Sequence, residues 1–243
     1  EQIIEANPSG VAQHFEPGDG PTECVHLLAQ DFKSLMFAVL TSTPTYHDWL
    51  LFCDMRSAFA HRKRVLQLLQ STNPGRWVLK MPSDSLFIRP LFAAFPDAKV
   101  IWTHRDPYAT FASSMSMRAN SRPLFNKDPD LSYMRERFPL QLALHLSRPL
   151  ELSRERPADI YHLYYDDLVS DPMAQMKRLY AWLGDAWTEV GDTNMRAWLQ
   201  NNPQGRFGKH SYSLAQWGFS RRDLEPYFAD YLKLHPVATG AEL

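Results

Sequence analysis

A chain of 243 residues with 44% apolar side chains is long enough to bury one large core, and we read it as a single domain rather than two small ones. Its 26 Lys and Arg against 27 Asp and Glu leave a formal charge of −1, so no overall field favours nucleic acid or an anionic membrane surface, and any anion site must be local. Cys24 and Cys53 form no CxxC pattern and fit a reducing cytoplasm, and no apolar run approaches the roughly twenty residues of a membrane span.

The stretch from Asn7 to Pro21 is polar and turn-rich. Thr22 to Phe32, TECVHLLAQDF, predicts a helix with Cys24, Leu27 and Leu28 on its apolar side and Glu23 in its first turn, where a glutamate ordinarily serves the helix dipole. Ser34 to Leu51 is rich in aromatics, and Phe37, Tyr46, Trp49 and Leu50 form an apolar wall that suits either core or an acceptor pocket. Phe59 to Gln70, FAHRKRVLQLLQ, predicts a helix with Val65, Leu66 and Leu69 inward and Arg62, Lys63 and Arg64 on a solvated face. Asn73, Pro74 and Gly75 then supply a tight turn.

Arg76 to Met117 reads as strand, loop, helix, strand, loop, helix. Trp77 to Leu79 is a short apolar run ending at Lys80, and Leu86, Phe87, Leu91, Phe92 and Phe95 follow at helical spacing. Val100, Ile101 and Trp102 are apolar on both faces, as in a parallel strand covered by helices. Asp106 is placed to cap the next helix, with Pro107 in its first position and Phe111, Ser114 and Met115 continuing it. Lys80 and Arg105 therefore fall at the carboxyl ends of two strands, where open α/β sheets bind ligands. Arg105, the helical Ser113 and free helix N–H groups together suit a phosphate, although many βα units carry such an Arg and Ser without binding anything.

Beyond it, Arg118 to Asp130 predicts a polar loop near the site. Leu131 to about Arg156 predicts a long helix that Pro139 and Pro149 should kink or divide. Ile160 to Tyr165 is a third strand candidate, and Met173 to Leu183 a helix closed by Gly184. Asp166, Asp167 and Asp171 read as turn and cap residues. The Gly208–Lys209 dipeptide lacks the upstream glycines and following Ser or Thr of a Walker loop, and the nine histidines hold no HExxH pair, so we expect no metal.

The central unit resembles the 3′-phosphate-binding region of sulfotransferases that use 3′-phosphoadenosine-5′-phosphosulfate (PAPS), and its wording is closest to the bacterial sulfotransferases. The YYDDLVSDP block and the GRFGKHSYSLAQWGFS segment extend the resemblance over most of the chain. It implies an α/β fold with a mostly parallel central sheet flanked by helices, similar to P-loop NTPases. It also implies transfer of a sulfuryl group from PAPS to a hydroxyl or amine of a small-molecule or glycan acceptor, leaving 3′-phosphoadenosine 5′-phosphate (PAP). Under it, Arg105 and Ser113 hold the 3′-phosphate, Tyr165 contacts the adenine, and Lys209 covers the nucleotide. Lys80 contacts the group in transfer, and Glu23 is the candidate general base. Asp84 stands where many of that family have His, which removes one candidate proton acceptor.

The family's strand and Gly/Ser/Thr loop for the 5′-phosphosulfate have no counterpart between Glu1 and Arg76, so the expectation is a single domain over 1–243 lacking that N-terminal unit. A cytoplasmic enzyme without nucleic-acid or membrane partners is expected, and a homodimer is left open. A non-catalytic PAP-binding protein of the same fold and a nucleotide or small-molecule kinase are the alternatives.

Overall fold

The computed structural model describes residues 20, 22–126, 130–203 and 212–240. Two strands, β1 (Val100–His104) and β2 (Ile160–Tyr164), pair in parallel with five matched positions from Val100↔Ile160 to His104↔Tyr164. Parallel neighbours require a crossover. Here it consists of α6 (Pro107–Ser121) and α7 (Ser132–Glu155). As expected, Asp106 caps α6, its side chain accepting from the Tyr108 N–H at 2.9 Å, with Pro107 in the first turn.

Ahead of β1 lie α1 (Val25–Ala29), α2 (Leu35–Leu40), α3 (Pro44–Leu50), α4 (Arg56–Gln70) and α5 (Ile88–Ala94). After β2 come α8 (Tyr165–Ser170), α9 (Pro172–Leu183), α10 (Glu189–Asn201) and α11 (Arg221–Leu234). The left-handed Gly184, φ 74°, closes α9 as the sequence predicts, and the Asp185 N–H returns to the Tyr180 carbonyl at 2.9 Å. One core gathers Leu50, Phe59, Leu86, Phe92, Trp102 and Ile160; a second gathers Phe111, Met115, Phe138, Leu224 and Phe228. Leu146 of α7 and Leu232 of α11 touch both, so these two helices tie the cores together.

Four expectations are corrected. Trp77 to Leu79 forms no strand: residues 71–80 are exposed throughout, because an apolar run becomes a strand only with a ladder partner, and none of the described residues supplies one. Pro139 and Pro149 sit inside α7 without dividing it. Arg62 is buried, not solvated, because its guanidinium donates to Asp84 at 2.7 Å. The polar loop starts later than expected, since α6 runs to Ser121 and Arg122 is fully buried, donating to the carbonyls of Ala38, Val39 and Thr41 at the end of α2. Those carbonyls lack helical partners, and the guanidinium fork satisfies several at once.

Candidate active site

Parallel register brings the first pair of candidates together. His104 and Tyr164 are the last matched positions, so Arg105 and Tyr165 leave the sheet side by side at its carboxyl edge. The Arg105 guanidinium lies 4.6 Å from the Tyr165 ring centroid, a cation–π contact, and donates to the Tyr212 hydroxyl at 3.4 Å. Arg105 is exposed, and the N-termini of α6 and α8 open on the same edge. An exposed guanidinium beside an aromatic face and helix N–H groups suits an anionic nucleotide.

A second pair joins distant parts of the chain. Glu23 precedes α1 rather than lying in it, and its carboxylate accepts from the Lys80 ammonium. Lys80 is mostly exposed and Glu23 mostly enclosed, so the cation is the member presented to solvent. The loop after Lys80 is anchored from below by the Arg62–Asp84 ion pair. Burial pushes the Asp84 carboxyl up, with Arg62 opposing. The position that departs from the family's usual His is therefore the partner of a buried arginine.

Ser113 is half-buried on α6 and makes no hydrogen bond to Arg105 among the described residues. Lys209, with Gly208 and His210, lies outside the described residues. Tyr212 was legible only as part of the HSYS loop. Sequence reasoning missed the residues that hold this edge in place. Arg221 stands 3.8 Å from Asp106 and 4.8 Å over the Tyr108 ring. The Ala238 N–H donates to Asp166 and the Gly240 N–H to Asp106, laying the C-terminal segment along the edge. The separation of these residues in sequence hides them.

The family model described as the sulfotransferase family matches residues 2–189. The chain belongs to this family. Among solved sulfotransferases, STF9 from Mycobacterium avium is similar with a TM-score of 0.85 and 38% identity, over 93% of this chain and 58% of that one. STF1 from Mycobacterium tuberculosis H37Rv is similar with a TM-score of 0.76 and 26% identity, over 94% of this chain and 62% of that one. Among curated sulfotransferases, the omega-hydroxy-beta-dihydromenaquinone-9 sulfotransferase Stf3 of Mycobacterium bovis is 27% identical over 175 residues, covering 67% of this chain. This sulfotransferase chain spans 45% of that relative's length. Among its described residues no helix is long and apolar enough to cross a membrane.

Proposed function

We propose that the full-length protein transfers a sulfuryl group from PAPS to a hydroxyl of an apolar, lipid-like acceptor. The observation that carries this reading is the stacking of Arg105 on Tyr165 at the carboxyl edge of the parallel strands, within a chain of the sulfotransferase family. In this reading the guanidinium neutralises the 3′-phosphate and the Tyr165 ring faces the adenine, which fixes the donor before reaction. Glu23, as the anionic half of an ion pair, is a proton acceptor for the acceptor hydroxyl. As that oxygen bonds to sulfur, the bond from sulfur to the bridging phosphate oxygen breaks and PAP departs. In this reading Lys80 stabilises the charge left on that oxygen, where a preorganised cation helps most.

The acceptor class rests on two supports. One is the relative named for a hydroxylated menaquinone. The other is a run of ring contacts, Phe32 to Phe37 at 6.2 Å, Phe37 to Tyr46 at 5.8 Å and Tyr46 to Trp49 at 5.6 Å, that begins nine residues after Glu23 and leaves Phe32 75% exposed. A lipid extract incubated with PAPS and full-length protein should yield a sulfated lipid by mass spectrometry together with PAP. PAP binding without any transfer would sink the catalytic reading and favour a binding protein of the same fold.

A further inference from the structure

Among the described residues two groups of histidines pack together. His104, His162 and His235 bring ring nitrogens within 4.8 Å of one another, but His104 and His235 stack with planes 14° apart and centroids at 4.2 Å. An imidazole holds a metal close to its ring plane, so two rings stacked face to face offer no shared point for an ion. The other group is built as a hydrogen-bonded chain and reaches the stretch that presents Lys80.

Its centre is His145 of α7. The His145 Nδ1 lies 2.6 Å from the Ser85 hydroxyl oxygen, and its Nε2 lies 3.3 Å from the Gln141 amide nitrogen. The Gln141 oxygen lies 2.9 Å from Nε2 of His47 on α3. One assignment of protons satisfies every contact. Ser85 has a single O–H, and it reaches the Pro82 carbonyl, which can only accept, at 2.9 Å. His145 therefore carries its proton on Nδ1 and donates it to Ser85. Its bare Nε2 then accepts from the Gln141 amide, whose oxygen accepts from His47. A neutral imidazole in this tautomer ties the turn that begins at Pro82–Asp84 to α7 and, through Gln141, to α3.

The neighbours of Ser85 are held as well. Asp84 takes the Arg62 guanidinium of α4 at 2.7 Å, and the Leu86 carbonyl accepts from Arg148 of α7 at 2.8 Å, one turn along from His145. Consecutive residues 84, 85 and 86 are thus fixed by side chains of two helices. Upstream, residues 71–80 are exposed throughout and enter no ladder among the described residues. Lys80 stands two residues before Pro82, so the held turn decides from where the ammonium extends.

We infer that His145, acting through Ser85, is a positioning residue for Lys80. This rests on the reading of Lys80 as the cation at the bridging oxygen. Arg62 and Arg148 bring charge into the interior, and their loss disturbs the fold at large. His145 contributes one neutral hydrogen bond, which a variant can remove and another restore.

The test uses full-length protein and follows PAP formation from PAPS with a lipid extract as acceptor. His145→Leu keeps much of the size and removes the donor; it should lower kcat roughly 10-fold and leave PAPS affinity within about 2-fold. His145→Asn sets an amide N–H where Nδ1–H was and should restore most of the rate. Ser85→Ala should match His145→Leu, and the two together should cost no more than either alone. In a Lys80→Met background His145→Leu should lower the rate no further, an outcome that a general loss of stability does not produce. The same loss persisting in that background, or no rescue by His145→Asn, overturns the inference while the reading of Lys80 stands. If Lys80→Met itself turns over like wild type, the reading of Lys80 fails first. Deuterium exchange tests the structural step without an acceptor. The amides of Asp84 and Leu86, bonded to the Met81 and Ser83 carbonyls at 3.1 Å, should exchange faster in His145→Leu and at the wild-type rate in His145→Asn. Wild-type exchange in a folded His145→Leu protein also overturns the inference; should that variant not fold, Ser85→Ala decides by the same two measurements.

Discussion

The Lys80 ammonium and the Glu23 carboxylate meet across 57 residues, joining the end of an exposed segment to the entrance of α1. On the proposed reading each acts on a different atom of the reaction, yet each also holds the other. Glu23→Gln should lower turnover by about 10² to 10⁴ with little change in PAPS affinity, the usual range for a positioned base. Lys80→Met should lower turnover by a similar order. Because the pair is coupled, the double variant should lose less than the product of the two single losses. Single-turnover rates decide it: wild-type turnover in Glu23→Gln would leave Glu23 as no more than the counter-ion of Lys80.

Ser113→Ala should weaken PAP less than Arg105→Ala does, by up to about 5-fold, since a neutral hydroxyl contact is worth about 1 kcal/mol. Ser113 is half-buried and gives no hydrogen bond to Arg105 among the described residues, so its contribution depends on the nucleotide being bound. Calorimetric titration with PAP measures it. A loss as large as that of Arg105→Ala would make Ser113 the principal anchor instead.

Asp84→Asn should cost roughly 3–5 kcal/mol of folding stability, because it leaves the Arg62 guanidinium buried without an anion. Arg62 has 1% exposure, and its Nε has no hydrogen-bond partner among the described residues. Replacing both partners, as in Arg62→Met with Asp84→Asn, should recover much of the loss. Urea unfolding of the three proteins tests this; a single variant as stable as wild type would contradict it.

Acid should unfold the protein before its carboxylates titrate. Burial, then His235 and His162, bring His104 from 6.5 to about 3. Burial, then His162, brings His235 to about 4, and burial, then Arg118 and Arg148, bring His145 to about 3. The groups bonded to the first two are the phenols of Tyr164 and Tyr231 and the His162 imidazole, and among the described residues no carboxylate is bonded to their nitrogens. Folded values below the unfolded one mean that the unfolded chain binds protons the native state refuses. Stability is therefore full above pH 6.5 and falls as pH drops from there toward 4. For His104 alone the loss at pH 5 is about 2 kcal/mol. Thermal melts between pH 7.5 and 4.5 should slope accordingly, and a flat profile would rule the effect out.

β1, β2 and the capped start of α6 were legible because their signals are local: short runs rich in β-branched and aromatic residues, and an Asp-Pro step. The meeting of Arg105 and Tyr165 was legible once both strands were read as parallel neighbours, since register alone carries them to one edge. Trp77 to Leu79 misled because an apolar run says nothing about whether a partner strand is present. Arg62 and Arg122 misled for the opposite reason. Charge on a helix, or in a polar loop, predicts solvent until a carboxylate 22 residues on, or a row of carbonyls more than 80 residues back, takes the guanidinium inside. The contact of Tyr231 with His104 was hidden by a separation of 127 positions in sequence.

The unpaired run beside Lys80 has a kinetic signature. Residues 76–80 are exposed, and their amide N–H groups enter no ladder among the described residues, whereas those of β1 and β2 are tied into the parallel sheet. In deuterium-labelling experiments the amides of 76–80 should exchange within seconds, while those of Trp102 and Leu163 persist until wider opening. Saturating PAP should slow exchange next to Arg105. If it also slows exchange at 78–80, binding is felt on the stretch that presents the Lys80 ammonium, and the two residue pairs respond to one ligand as a single unit.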